Sequence, residues 1–465
     1  PLIVAMQGMA ERALRRSGEQ LTALTGGMVG ATSQVGRMKT WLAQQGVTVE
    51  SLAKKPIADL LAGECSDLVR EVLEIRAETA KSSVAKLVSM VACADAADDK
   101  IRGMLLYHGA STGRWSGRLV QPHNFPRPTI TQVETLLPYL QQGRDEVLDL
   151  LHPVLEVISA SLRSCLIASP GCRLVAADYA GIEARITNWL AGQWDIVDVF
   201  ARGESVYLHN AKQLAILNGV PLPPTASKSS HPADYQIGKI IELGCGFGMG
   251  PAKFQTTARE QHDTLLTDAQ AAQFVDFYRT SHHRVTSLWR QLNQACLRAV
   301  DEPGTVTMAG EGAAIRFTRR GGYLWMILPS GRPLAYAEPH IEEREAPWST
   351  PEQPARTRSV VASGVNSQTR RWDEFFLYGG LLLENAVQAI ARDLMAHGMQ
   401  RVDAAGYPVV LTVHDEVVAD VPVGRGTLAA FQQLLVERPA WALARPGGRD
   451  LPLDTEGWDG HRYRK

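Results

Sequence analysis

The sequence predicts a mixed α+β protein built from several subdomains. Apolar residues recur at three- and four-residue spacing in Glu11–Leu24 and Leu68–Val91, and again in Leu381–Met399, as amphipathic helices require. Pro408–Val421, PVVLTVHDEVVADV, has instead two short β-branched runs broken by His414-Asp415-Glu416, the pattern of a tight hairpin with acids at its tip. At 465 residues the chain is long enough for roughly two to four subdomains. Its 45% hydrophobic and 21% charged residues are those of a globular protein. The net charge of −1 gives no global basic signal, so any polyanion site has to be local. Six cysteines without a CxxC pair argue against structural zinc and suit a reducing compartment. No apolar run is long enough to span a bilayer and no signal peptide is evident, so a cytoplasmic location without a membrane partner is expected.

In chain order, residues 1 to about 100 read as helical, with Lys81 and Lys86 on the second amphipathic stretch, where a solvated face is the plain reading. Leu106–Pro128 then changes character. Gly, Ser and Pro punctuate it, and Arg114, Arg118 and Arg127 lie near aromatics, a mixture suited to phosphate and sugar contacts. In Arg173–Leu190, RLVAADYAGIEARITNWL, a short strand over Leu174–Ala177 ends at Asp178, and helical spacing starts at Ile182. Glu183 falls in the first helical turn, where the helix dipole alone would favour an acid.

Tyr235, Lys239, Leu243 and Phe247 recur every four residues and share one helical stripe. A cation followed by an aromatic suits a nucleoside triphosphate. For the stripe by itself, a core-facing row with a snorkelling lysine is the favoured reading. Gly244, Gly246, Gly248 and Gly250 strain a helix there and mark its end or a close backbone approach. Phe274–Val300 reads as one long amphipathic helix, Thr305–Leu334 as strands, and the charged, Pro-rich Glu338–Arg371 as loop. In Leu381–Met399, Asn385 and Gln388 are polar and Gly398 is expected to cap the end.

Asp178 and Asp415 thus stand at the ends of two strands far apart in sequence, and could converge on adjacent strands of one sheet. Two such carboxylates repel each other unless a divalent cation lies between them. A metal pair held that way serves phosphoryl transfer, and Lys239 would add positive charge at the leaving pyrophosphate.

Taken together, DYAGIEAR, the Lys239 helix and VHDE resemble motifs A, B and C of family A DNA polymerases, with the order and spacing of the phage and prophage branch. HGASTGRWSGRLVQPHNFPRP, YGGLLLENAVQAIARD and the C-terminal EGWDGHRYRK are similar to that branch as well, and the resemblance covers roughly residues 70–465. It implies a right-hand polymerase with an antiparallel-sheet palm, helical fingers and a helical thumb. The thumb would span 1–110, the palm 111–195 with 372–465, and the fingers 196–371. Asp178 and Asp415 would be ligands of two Mg²⁺ ions, with Mn²⁺ able to substitute, the Tyr179 carbonyl assisting and Glu416 beside them. Lys239, Leu243, Phe247, Tyr235 and Glu183 would surround the nucleotide, with Glu183 as sugar gate. Arg114, Asn124, Gln388 and His414 would hold primer and template, and Lys81 and Lys86 would lie near duplex phosphates.

The implied activity is template-directed 5′–3′ synthesis from dNTPs by a monomer acting on primer–template DNA, with no proofreading exonuclease motif in this chain. Several positions depart from the family pattern. Tyr235 stands where an Arg often grips the triphosphate, Leu243 replaces an aromatic and Phe247 a Tyr. His123 stands for a Gln and Glu384 for an Asn. Without the Tyr hydroxyl, Glu183 is expected to lack its tether. Glu183 and Glu416 speak against a single-subunit RNA polymerase, the intact Asp178, Lys239 and Asp415 against an inactive scaffold, and the Lys239–Phe247 stripe against a nuclease.

Overall fold

A computed structural model describes residues 1–79, 83–345, 349–350, 355–366, 369–443 and 448–464. Lys81 lies outside the described residues. The N-terminal region is helical as its spacing predicts, with helices Leu2–Leu24, Val35–Gln44, Lys54–Ala62, Asp67–Thr79 and Ser83–Cys93. Met38, Trp41, Leu42, Ile57, Val72 and Leu73 close one small core there. Lys86 is half-buried on the last of these helices, and burial lowers its pKa.

The centre of the molecule is a four-stranded antiparallel sheet in the order Val409–Val413, Glu416–Pro422, Cys172–Tyr179, Thr455–Gly460. Strand Cys172–Tyr179 is flanked on both sides by strands from the far C-terminal part of the chain. Side chains alternate across a sheet, so Val175, Ala177 and Tyr179 enter the main core with Val417, Ala419 and Val421. Burying each valine there contributes about 1.5–3 kcal/mol. Helix Gly379–Ala404 packs on that face; at Gly398 an added Cβ would come within 2.5 Å of the Tyr179 hydroxyl and 2.9 Å of Leu435. Gly398 is therefore a close-packing position inside the helix and not its C-cap. The opposite face carries a smaller core with Leu174, Ala176, Leu411, Val418 and Tyr463.

The span 196–371 is helical as far as Asp301 and then turns to strands. A six-stranded antiparallel meander runs through Thr307–Ala309, Ile315–Arg320, Tyr323–Ile327, Pro333–Glu345, Arg356–Val365 and Trp372–Leu377. The loop expected over Glu338–Arg371 is thus largely two strands. Its charges alternate with residues that pair in register, Glu343 with Arg358 and Glu345 with Arg356, and cross-strand opposite charges support a sheet. Gly321 and Gly322, at φ 63° and 79°, make the two-residue turn that only glycine-like backbone accommodates cheaply. The long helix expected over Phe274–Val300 is two helices, Asp268–Ser281 and His283–Asp301, broken at His282. There the fully buried imidazole turns inward, with Nε2 3.3 Å from Glu242 Oε2. Among the described residues no helix is long and apolar enough to cross a membrane.

Candidate active site

Register assembles the site. Asp178 lies directly opposite Glu416, and the Tyr179 amide donates to the Asp415 carbonyl at 3.2 Å, so Asp178 and Asp415 end adjacent strands at the same edge of the sheet. The turn between the hairpin strands is His414-Asp415, with His414 in the left-handed region at φ 56°, a conformation of appreciable cost for a residue with a Cβ. Arg114 reaches across from its irregular loop. Its Nη2 donates to Glu183 Oε1 at 2.7 Å and lies 3.5 Å from Asp415 Oδ1.

One guanidinium therefore serves a cluster of acids. Burial raises the pKa of Asp415, Arg114 opposes that, and Glu183 and Asp178 raise it further. Glu384 is also raised, first by burial and then by Glu183. This surplus of negative charge on hard oxygen donors fits a divalent cation, which Asp178 and Asp415, at the ends of adjacent strands, could hold. A separate trio, His340, Glu342 and Glu374, brings potential ligand atoms within 4.8 Å of one another on the six-stranded sheet. It is largely exposed, and the His340 ring is already engaged by the Glu338 carbonyl at 3.2 Å and by Glu342.

Glu416 follows Asp415 as the first residue of the second hairpin strand. It is buried, accepts a short hydrogen bond from the Tyr463 hydroxyl, and lies 3.4 Å from the Trp458 indole nitrogen. Arg163 in turn donates to the Tyr463 oxygen at 3.2 Å. Tyr463 falls in the EGWDGHRYRK stretch, whose resemblance was legible although its contact with Glu416 was not.

The primer-side candidates gather around the same turn. His414 Nε2 lies 3.1 Å from the His123 carbonyl, and the two rings meet edge-on at 5.2 Å. Burial, with His414 adding to it, lowers the His123 pKa to about 4. Asn124 donates to Gln121 at 2.9 Å and Gln388 to Glu384 at 3.2 Å. Arg332 and Arg392 staple the Arg114 loop to helix Gly379–Ala404: Arg332 bonds Asp393 at 2.7 Å and the carbonyls of Thr112 and Ala389, and Arg392 bonds the Gly113 carbonyl at 3.1 Å. Neither arginine was singled out from sequence, because their partners are 61 or more residues away for most of these bonds.

Tyr235, Lys239 and Leu243 lie on helix Pro232–Cys245, whereas Phe247 follows its end. The glycine-rich stretch marks both that end and a close approach. An added Cβ on Gly380 would come within 2.1 Å of the Phe247 carbonyl, so the approach is to protein backbone. Lys239 has its pKa lowered by burial and then by the nearby charges of Arg127 and Lys228. The Lys228 ammonium stands 5.4 Å from the Tyr235 ring, a cation–π contact one helical turn before Lys239. Arg127 and Lys228, both outside the helix, thus bring two further cations near Lys239.

A family model described as DNA polymerase family A matches residues 16–311. The DNA polymerase of Bacillus phage SP02 is 34% identical over 438 residues, which are 92% of this chain and 62% of the relative. The thermostable DNA polymerase I of Thermus aquaticus is 23% identical over 65% of this chain and 28% of its own length. This chain thus spans less than two thirds of either relative. Among solved structures, the POL domain of Pol1 from M. smegmatis, in complex with DNA primer-template and dNTP, superimposes with a TM-score of 0.60 at 15% identity, covering all of this chain and 66% of that one.

Proposed function

The chain belongs to DNA polymerase family A, and from that membership we propose that it extends a primer 5′–3′ on a DNA template by nucleotidyl transfer from dNTPs. The observation that carries this reading is the acid cluster at the sheet edge, where Asp178 and Asp415 end adjacent strands beside a single arginine. Asp178, Asp415 and the Tyr179 carbonyl would hold two Mg²⁺ ions, for which Mn²⁺ would substitute. When bound, such ions supply an activated attacking oxygen and neutralise charge on the leaving one. Lys239, with Arg127 and Lys228, binds the triphosphate and holds positive charge, and a proton, at the departing pyrophosphate. Phe247 and Leu243 border the incoming base, and Glu183 bars a ribose 2′-hydroxyl. Arg114, Asn124, Gln388 and His414 position the primer terminus and its template partner, and Lys86 faces the duplex. Glu416, held by Tyr463, maintains the shape of the hairpin end that carries Asp415.

The test is single-nucleotide extension of a labelled primer–template with Mg²⁺, first on the wild-type chain. Asp178→Ala and Asp415→Ala should each abolish extension while primer–template affinity stays within about twofold, a spread typical of context effects. Near-normal turnover in either variant removes these two residues from the chemistry. A wild-type chain that incorporates NTPs in place of dNTPs overturns the substrate assignment.

A further inference from the structure

The six-stranded sheet lies almost wholly beyond residue 311, where the family match ends. One of its faces is accounted for. Ile315, Phe317, Leu324, Met326, Leu334 and Tyr336 point into the main core, and Arg319 turns the same way to donate to the Val300 carbonyl at 3.1 Å.

The other face is open at Arg316, Arg320 and Tyr323, with Thr318 and Trp325 half-buried beside them. Strand Ile315–Arg320 presents Arg316, Thr318 and Arg320 outward, and strand Tyr323–Ile327 presents Tyr323 and Trp325. Register sets Tyr323 opposite Arg320 and Trp325 opposite Thr318. The third strand offers only Pro and Ala at its outward positions 333, 335 and 337, so nothing bulky rises beside the aromatics. The two rings lie 5.5 Å apart, and the Trp325 indole is oriented by its bond to the Arg320 carbonyl at 3.1 Å. They line an open groove of about 620 Å³ that, among the described residues, includes no carboxylate.

Aromatic rings on successive outward positions of one strand, flanked by arginines and hydroxyls with no acid, match what a single nucleic-acid strand needs. Bases stack on the rings, phosphates meet the guanidiniums, and no negative charge opposes them. A duplex would bury its bases from such a face. One end of the groove is tied, through one side chain, to the loop that carries Arg114. Gly331 and Pro333 of the groove flank Arg332, which is bonded to the Thr112 carbonyl two residues before Arg114.

We propose that this outward face, centred on Tyr323, Trp325, Arg316 and Arg320, is a stacking platform for single-stranded DNA running past the polymerase site. The assignment rests on the proposed DNA-synthesis function, which makes unpaired DNA the strand at hand.

The experiment measures anisotropy of labelled oligo-dT with the full chain, alongside a blunt duplex control. Tyr323→Ala/Trp325→Ala should weaken oligo-dT binding at least about tenfold, on the order of one lost base stack, and leave duplex binding unchanged. Trp325→Phe should keep most of the affinity. Arg316→Gln/Arg320→Gln should flatten the log–log salt dependence by roughly 1.4, two phosphate contacts on a single strand. All variants should extend a primer with a one-nucleotide template overhang at the wild-type rate. Oligo-dT binding unaltered in the aromatic variant overturns the proposal, as does loss of concentration-dependent self-association in its place, which would make the face a contact between copies. A wild-type chain that binds oligo-dT but extends no primer defeats the synthesis reading and leaves the platform standing.

Discussion

Arg114 holds Glu183 at 2.7 Å, and that contact changes what is expected of sugar selection. From sequence, Phe247 leaves Glu183 without the hydroxyl that usually tethers it, and a loose gate follows. The structure gives the carboxylate a different tether, on a residue that also touches Asp415. Glu183→Ala should raise CTP use relative to dCTP, read as the ratio of single-nucleotide kcat/KM. Arg114→Ala should raise it too, by about tenfold, the scale of one charged hydrogen bond. A ratio unmoved in both variants would leave Glu183 as a helix-start acid only. The cations around Lys239 obey similar logic. Lys239→Ala should lower kcat/KM for dNTP by about 10²–10³. Lys228→Ala, which removes a charge stacked on Tyr235, should act in the same direction and more weakly, mainly through KM. An effect on DNA affinity alone would place Lys228 on the duplex.

At the scale of elements, helix Pro232–Cys245 is fixed from behind by Glu242. This fully buried carboxylate accepts from Asn188 at 3.0 Å and Asn210 at 2.8 Å and lies 3.3 Å from His282, joining three other helical segments to the one that bears Lys239. Burial pushes its pKa up, but His282, then Asn210 and Asn188, outweigh that and hold it below the ordinary 4.5. A carboxylate depressed on folding contributes stability above its unfolded value and loses it as pH falls through the folded one. Glu242→Gln should therefore cost about 3–5 kcal/mol near neutral pH, the usual cost of breaking a buried pair. The difference from wild type should shrink below about pH 4.5. Urea midpoints across pH decide it; a constant gap would mean that the carboxylate charge is not what Glu242 contributes. The same pair explains a misread boundary. Apolar spacing runs unbroken across Phe274–Val300, and only the inward turn of His282 toward a partner 40 residues earlier ends the first helix. The hairpin, the Asp178 strand and the Lys239 helix were legible because each is specified locally, by β-branched runs or four-residue spacing. Strands Pro333–Glu345 and Arg356–Val365 were not, since their charges make sense only in pairs. Gly398 resembled a cap because its real constraint, the Tyr179 hydroxyl, belongs to another element.

For the molecule as a whole, the candidate site is spread over residues from Arg114 to Asp415, and long-range strand pairing brings Asp178 and Asp415 to one sheet edge. Strand Cys172–Tyr179 is the clearest case, lying between Glu416–Pro422 and Thr455–Gly460. That arrangement has a consequence for the order in which the protein is made. The central strand leaves the ribosome more than two hundred residues before either neighbour. At about 5–20 residues per second it waits some tens of seconds with both edges open. Open edges of this kind invite pairing with other chains. Nascent chains stalled at residue 400 should therefore associate with holding chaperones or with one another, and those stalled with strand Thr455–Gly460 already outside the ribosome should not. Pull-down of stalled complexes would measure this, and equal capture at both lengths would show that something else guards the strand during the wait. Synthesis time, and not only final stability, then sets how much folded protein a cell obtains from each message.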